Sequence, residues 1–215
     1  IPDIRGFPGK NVDVSLYDFI PVLNFKPGPL EDQFNAFLKR AFDVFFSSFV
    51  LLFILSWLFP VLAILIKMES AGPVLFIQKR TGRGNKSFRC YKFRTMLVNK
   101  DADRKQATRD DTRITRIGSF LRKANLDEMP QFFNVLKGEM SVVGPRPHML
   151  KHTQEFTLAV EKFMLRHYVK PGITGLAQIK GYRGETNTHE KLKNRVKLDR
   201  FYVANWSLFF DIRII

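Results

Sequence analysis

Asp127 and Glu128 stand side by side, just after Arg122 and Lys123 and just before Met129-Pro130. Two adjacent carboxylates in so basic a stretch could divide phosphoryl chemistry between them. One could attack a phosphorus atom as a nucleophile. The other could hold Mg²⁺, which commonly takes one or two protein carboxylates together with substrate phosphates. Neighbours on a helix point about 100° apart, so the pair suits separate roles better than one symmetric clamp. Proline is tolerated in the first turn of a helix, so the pair is expected to open one, where the dipole favours anions. Plain N-terminal capping acids would satisfy the same local grammar, and on these residues alone both readings stay open.

Gly144-Pro-Arg-Pro147 presents Arg146 on a backbone stiffened by two prolines. A guanidinium held that way suits bidentate phosphate recognition; a rigid turn with an incidental arginine is the plainer alternative. Lys92 and Arg94 alternate along an expected strand and so share one face. His148 and His152 have the i, i+4 spacing of a zinc pair, but no Glu or Cys nearby completes a set. Cys90, the single cysteine, excludes an internal disulfide framework.

The whole chain has 215 residues, enough to bury a core without disulfides or structural metal, and a net charge of +15. Residues 79–123 hold 15 Lys/Arg against 4 Asp/Glu, so the excess is concentrated there. Such a field calls for a polyanionic partner: phosphates, acidic lipid or nucleic acid. No nucleic-acid motif accompanies it. Starting at Ile1, the sequence reads as a piece of a longer protein, with residues 1–30 the tail of a preceding domain and a linker. Val12–Leu16 and Phe19–Leu23 read as short strands.

Residues 31–43 place Phe34, Phe37, Leu38, Ala41 and Phe42 on one helical stripe. From Val44 to Ile66 there follow 23 residues without a charge. At about 1.5 Å per residue such a helix is long enough to cross a bilayer core. Pro60 interrupts it and predicts a kink, and the Ser56 hydroxyl is placed to help satisfy the backbone freed there. Basic residues flank both sides, so a hairpin through one leaflet and a tolerated-proline span both remain open. Beyond it, Val74–Lys79 and Ser87–Thr95 flank a glycine-rich turn. Residues 100–112 read as loop, helical patterning resumes at Ile114, and further helices are expected near 149–167 and 188–205.

Taken in order, KRAFD at 39–43, GPVLFIQKRTG at 72–82, YKFRTM at 91–96, the 110–147 stretch ending in GPRP and KPGITGLAQIKGYRGETNT at 170–188 resemble the bacterial sugar transferases. These are the monotopic phosphoglycosyl transferases that act on polyprenyl phosphate. The resemblance implies an α+β, mostly helical fold: an N-terminal re-entrant membrane helix-break-helix, a β-hairpin and a helical catalytic domain. Residues 31–68 would be the amphipathic approach and re-entrant helix, and 69–215 the cytosolic catalytic domain. It implies transfer of a hexose-1-phosphate from a UDP-sugar to undecaprenyl phosphate, with UMP released, as a first step of exopolysaccharide, capsule or O-antigen assembly. Similarity to the large members favours glucose-1-phosphate.

In that scheme Asp127 is the nucleophile that carries the phosphosugar, and Glu128 a Mg²⁺ ligand. Arg122 and Arg146 bind phosphate, joined here by Lys92 and Arg94. Lys39, Arg40 and Asp43 match the motif that opens the re-entrant helix. At the break the family often has Ser-Pro; this sequence has Phe59-Pro60, with Ser56 one turn earlier. The expected place is the cytoplasmic face of a bacterial inner membrane, in contact with its lipids and without nucleic acid; large members admit a homodimer. The rival from a different class is a non-enzymatic basic module that binds a membrane surface, which predicts that Asp127→Asn changes nothing.

Overall fold

A computed structural model of the chain describes residues 12–17, 20–25, 28–98, 111–150, 163–183 and 188–215. The expected helix near 149–167 and the loop at 100–112 lie largely outside these residues, as does His152. The first described elements, β1 (Val12–Tyr17) and β2 (Ile20–Phe25), pair antiparallel, with Tyr17 opposite Ile20.

Helical structure then runs from Gln33 to Glu69, 37 residues. It comprises α1 (Gln33–Phe49), a π-helical stretch at Val50–Leu55, and α2 (Ser56–Glu69). Asp32 caps its start by accepting the Asn35 N–H at 2.9 Å. The irregularity in the backbone lies at Val50–Leu55, ahead of Pro60, which sits inside α2. Widening to i→i+5 disturbs the usual hydrogen-bond ladder. Two side chains compensate: Ser56 Oγ donates to the Leu52 carbonyl at 2.6 Å and Trp57 Nε1 to that of Phe53 at 3.0 Å. The Ser56 hydroxyl thus serves the π-helical stretch, not the carbonyl that Pro60 leaves without its donor.

The polarity of α1 is inverted relative to a soluble amphipathic helix. Its buried positions are polar, Lys39, Asp43 and Ser47, four residues apart. Its exposed ones include Phe34, Phe37 and Phe45, at 70%, 70% and 76%. The outward apolar face continues through Leu52, Phe53, Trp57, Ile64 and Met68. On the inner side Arg40 reaches the Val135 and Leu136 carbonyls and Val50 joins the core of Phe88, Val135, Val142 and Trp206, while Leu55, Leu62 and Ile66 pack with Phe93 and Leu121. Both ends of the long helix therefore rest on the same body.

That body is built of short elements. β3 (Leu75–Thr81) and β4 (Ser87–Phe93) form the expected antiparallel hairpin, closed by a 3₁₀ turn at Arg83–Asn85. α3 (Arg116–Lys123) is capped by Thr115 and held at its start by Glu69, whose carboxylate accepts the Arg116 and Ile117 N–H groups. Gly118 lets α3 lie against Thr95, since a Cβ there would meet the Thr95 carbonyl oxygen at 2.0 Å. A 3₁₀ turn (Leu126–Glu128), α4 (Gln131–Leu136) and β5 (Ser141–Val143) follow. After a 3₁₀ turn at Phe163–Tyr168, β6 (Gly172–Thr174) pairs parallel with β5. The chain ends in α5 (Leu176–Ile179), α6 (His189–Ala204) and α7 (Leu208–Ile214). The fold is mostly helical, with a long apolar N-terminal helix and small two-stranded sheets. The helix expected at 188–205 is α6, and beyond it Ser207 caps α7, which the sequence reading did not place.

Candidate active site

Asn125 ends α3 in the left-handed conformation, φ 59°. The chain turns there and enters the 3₁₀ turn that carries Asp127 and Glu128. Contrary to the sequence expectation, the pair does not open a long helix. α3 stops before it, and Pro130 caps the separate α4. The two carboxylates point to different surroundings.

Asp127 lines a cavity of about 360 Å³. Six cationic side chains line it too, Arg80, Lys92, Arg94, Arg113, Arg122 and Arg146, and among the described residues Asp127 is its one carboxylate. Among the described residues no hydrogen bond reaches the Asp127 carboxylate. Burial raises its pKa above the ordinary aspartate value, against the pull of Lys92, Arg122 and Arg146. An unpaired carboxylate on the wall of a cationic cavity keeps its oxygen lone pairs free, beside charges that favour an anion.

Glu128 is the opposite case. Its Oε1 accepts from Lys92 Nζ at 2.7 Å and Arg146 at 2.7 Å; its Oε2 accepts from Arg146 at 3.1 Å and Arg183 at 3.1 Å. Burial alone would raise its pKa, but Arg146 and Lys92 outweigh that and hold it well below the usual glutamate range. This carboxylate organises three cations from three elements: β4, the Gly144–Pro147 loop and the turn after α5.

Mg²⁺ asks for oxygen donors. Both Glu128 oxygens already accept N–H bonds. As placed, neither oxygen is clear of a cation. An ion there would require Lys92 or Arg183 to move off.

The remaining expected residues fall in two groups. Arg122 lines the cavity and is steadied by Thr95 Oγ1, which accepts from its Nε at 3.0 Å. Arg94 also lines the cavity, but its guanidinium turns to the end of α2, donating to the carbonyls of Ser70 (2.7 Å) and Ala71. Far from the dyad, Lys39 pairs with Asp43 at 3.2 Å and with Asp211 at 2.7 Å. Asp43 accepts the Val142 N–H at 3.0 Å, and Asp211 accepts Tyr202 OH at 2.8 Å. Arg40 donates to the Val135 and Leu136 carbonyls at 2.6 and 2.7 Å, closing the last turn of α4. Lys39, Arg40 and Asp43 thus fasten the long helix to α4, β5 and α7. Arg183 was not singled out from the sequence. It lies 55 residues from Glu128 in a glycine-rich turn, and no periodicity links the two.

Comparison with known proteins gives consistent matches. A family model described as bacterial sugar transferase matches residues 34–215. The UDP-glucose:undecaprenyl-phosphate glucose-1-phosphate transferase of Klebsiella pneumoniae is 45% identical over 216 residues, covering 100% of this chain and 46% of that protein. The UDP-N-acetylgalactosamine-undecaprenyl-phosphate N-acetylgalactosaminephosphotransferase of Aeromonas hydrophila is 42% identical over 188 residues, 86% of this chain and 44% of its own. The undecaprenyl-phosphate galactose phosphotransferase of Salmonella typhimurium is 36% identical over 232 residues, 100% of this chain and 47% of its own. The chain spans under half the length of these curated relatives.

Proposed function

Because this chain belongs to the bacterial sugar transferase family, we propose that it is the catalytic portion of an enzyme moving glucose-1-phosphate from UDP-glucose to undecaprenyl phosphate. The observation that carries the reading is the contrast within the dyad: among the described residues Asp127 accepts no hydrogen bond and opens on a cavity lined by cations, while Glu128 is tied by three. Three relatives named for glucose transfer match across the whole chain at 45%, 45% and 44% identity and another at 40% over 96% of it; one named for N-acetylgalactosamine is 42% identical over 86%, and one for galactose 36%. Glucose is the sugar this favours.

Two displacements at one phosphorus make up the reaction. An Asp127 carboxylate oxygen attacks the phosphorus that bears the sugar, and the bond to the bridging oxygen breaks. UMP leaves with that electron pair, and the phosphosugar remains on Asp127 as an acyl phosphate. A phosphate oxygen of undecaprenyl phosphate then attacks the same phosphorus. The Asp127 carboxylate leaves, giving undecaprenyl diphosphate glucose. Neither displacement needs a proton from the protein. Arg122 and Lys92, which line the cavity with Asp127, would offset the negative charge on the transferring group, and Arg146, fixed by Glu128, would complete the cationic wall. Metal dependence belongs to the same proposal: Mg²⁺, if bound, would neutralise charge on the transferring phosphate, and Glu128 would hold it once Lys92 or Arg183 moved off.

A lipid phosphate and a soluble nucleotide sugar must meet at a membrane surface. The outward apolar face of the long helix supplies the anchor, and contact of both its ends with one body supports insertion into a single leaflet. We place the protein at the cytoplasmic face of the inner membrane, with residues 31–68 as the re-entrant anchor and 69–215 as the catalytic domain. The test is the full-length protein in nanodiscs with UDP-glucose and undecaprenyl phosphate. Lipid-dependent UMP release and a lipid diphosphate hexose are expected; hydrolysis without lipid product, or no turnover with any UDP-sugar, contradicts the reading.

A further inference from the structure

Arg146 sits between Pro145 and Pro147, neither of which has an N–H to tie the loop down. The loop's carbonyls are held from outside instead. Gly172 N–H donates to Pro145 O at 3.0 Å, and Thr81 N–H to His148 O at 3.1 Å. Arg80 donates to Pro147 O at 3.4 Å. At Arg146 the donor is another side chain, Arg166, whose terminal nitrogen meets the Arg146 carbonyl at 2.6 Å.

Arg166 is 1% exposed, on the 3₁₀ turn Phe163–Tyr168. The same nitrogen pairs with Asp199 of α6 at 2.9 Å, and the other terminal nitrogen meets His148 Nε2. Burial, with Arg166 and Arg195 nearby, holds His148 well below the usual imidazole range, so it is neutral and can accept. A buried ion pair is a poor way to gain stability, since an apolar pair of similar volume often does as well or better. The guanidinium does what an apolar group could not: its planar fork reaches a carboxylate, a ring nitrogen and a backbone carbonyl together.

We propose that Arg166 is a positioning residue, anchored by Asp199, which fixes the Arg146 backbone and so the place where the Arg146 guanidinium meets Glu128 and the phosphate-binding cavity. The inference rests on the functional reading given above. It links α6, which does not line the cavity, to the cationic wall of the site.

The test compares Arg166→Lys and Arg166→Met in the full-length protein, each alone and combined with Arg146→Ala. Misplacement by about 1 Å can cost about 100-fold in rate. Arg166→Met is expected to lower kcat/KM by about that factor in the parent, with Arg166→Lys losing less. In the Arg146→Ala background both are expected to cost little more, because residues that act as one unit are non-additive. Hydrogen exchange gives a readout independent of turnover. The 141–150 segment is expected to exchange faster in Arg166→Met, together with α6, which loses the partner of Asp199, while α1, which bonds to neither Arg166 nor Asp199, is unchanged. Equal relative losses in the two backgrounds, or unchanged exchange at 141–150, would overturn the proposal. If the parent turns over no UDP-sugar, the functional reading fails and exchange alone decides this one.

Discussion

Arg146 grips Glu128 with both ends of its guanidinium, at 2.7 and 3.1 Å, while the neighbouring Asp127 accepts no hydrogen bond among the described residues. Adjacent carboxylates have been given opposite environments. Glu128 is held ionised by its cations; Asp127 is desolvated and left open to the cavity. In the proposed reaction that asymmetry separates the part that binds from the part that reacts.

Glu128→Gln removes the charge that gathers Lys92, Arg146 and Arg183. Breaking a buried ion pair from one side costs about 3–5 kcal/mol, and a loss near the lower figure is expected in thermal unfolding, because Arg183 is 37% exposed and screened. Arg183→Ala should cost about 1 kcal/mol or less. The folded pKa of Glu128 is lowered, so its contribution is present above the ordinary glutamate pKa and fades as pH falls through the folded value. The Glu128→Gln penalty should therefore shrink toward the acid end. A penalty that grows on acidification would contradict this.

Asp127 carries the reverse sign. Its folded pKa is raised by burial, so the ionised form strains the fold as pH rises through that value. Asp127→Asn should unfold at a higher temperature than the parent at pH 8 while losing all transfer. The acid limb of donor turnover should lie above the ordinary aspartate pKa, because the nucleophile must be ionised. A destabilised Asp127→Asn, or an acid limb at or below the ordinary value, would count against the role.

Lys39 holds two buried carboxylates, Asp43 and Asp211, on either side. Lys39→Met leaves them facing one another without a cation, and a loss of about 3–5 kcal/mol is expected. Because the pairing fastens α1 to α7, proteolysis near α7 should accelerate as well. An unchanged melting temperature would show that the pairing does not hold the helix.

The anchoring face can be read with probes. Trp57 is 59% exposed on α2, whereas Trp206 is 5% exposed in the core. In nanodiscs containing brominated lipid, Trp57 emission should be quenched and Trp206 emission should not. Cysteines placed at Asp32 and Ser70, at the two ends of the helix, should label from the same side of sealed vesicles. Labelling from opposite sides would mean that the helix crosses the membrane.

Much of this was legible in the residues. The uncharged run at 44–66, the hairpin around Gly82 and Gly84 and the helix at 188–205 announce themselves by composition, turn residues and capping. The dyad stood out by charge contrast alone. What periodicity missed was local and tertiary. Leu126, Met129 and Phe133 keep helical spacing although Asn125 and Pro130 divide the chain into a 3₁₀ turn and α4. Pro60 suggested a break at its own position, whereas the π-helical stretch lies at Val50–Leu55. Arg183 and Arg166 reach the site across long sequence separations, which no local pattern encodes.

The most direct measurement is an intact mass of the full-length protein after incubation with Mg²⁺ and UDP-glucose, with no lipid acceptor. The account predicts a gain of one hexose phosphate, absent from Asp127→Asn and discharged when undecaprenyl phosphate is added. UMP release that needs undecaprenyl phosphate and never leaves an adduct would contradict it, and would point to direct displacement between the two substrates.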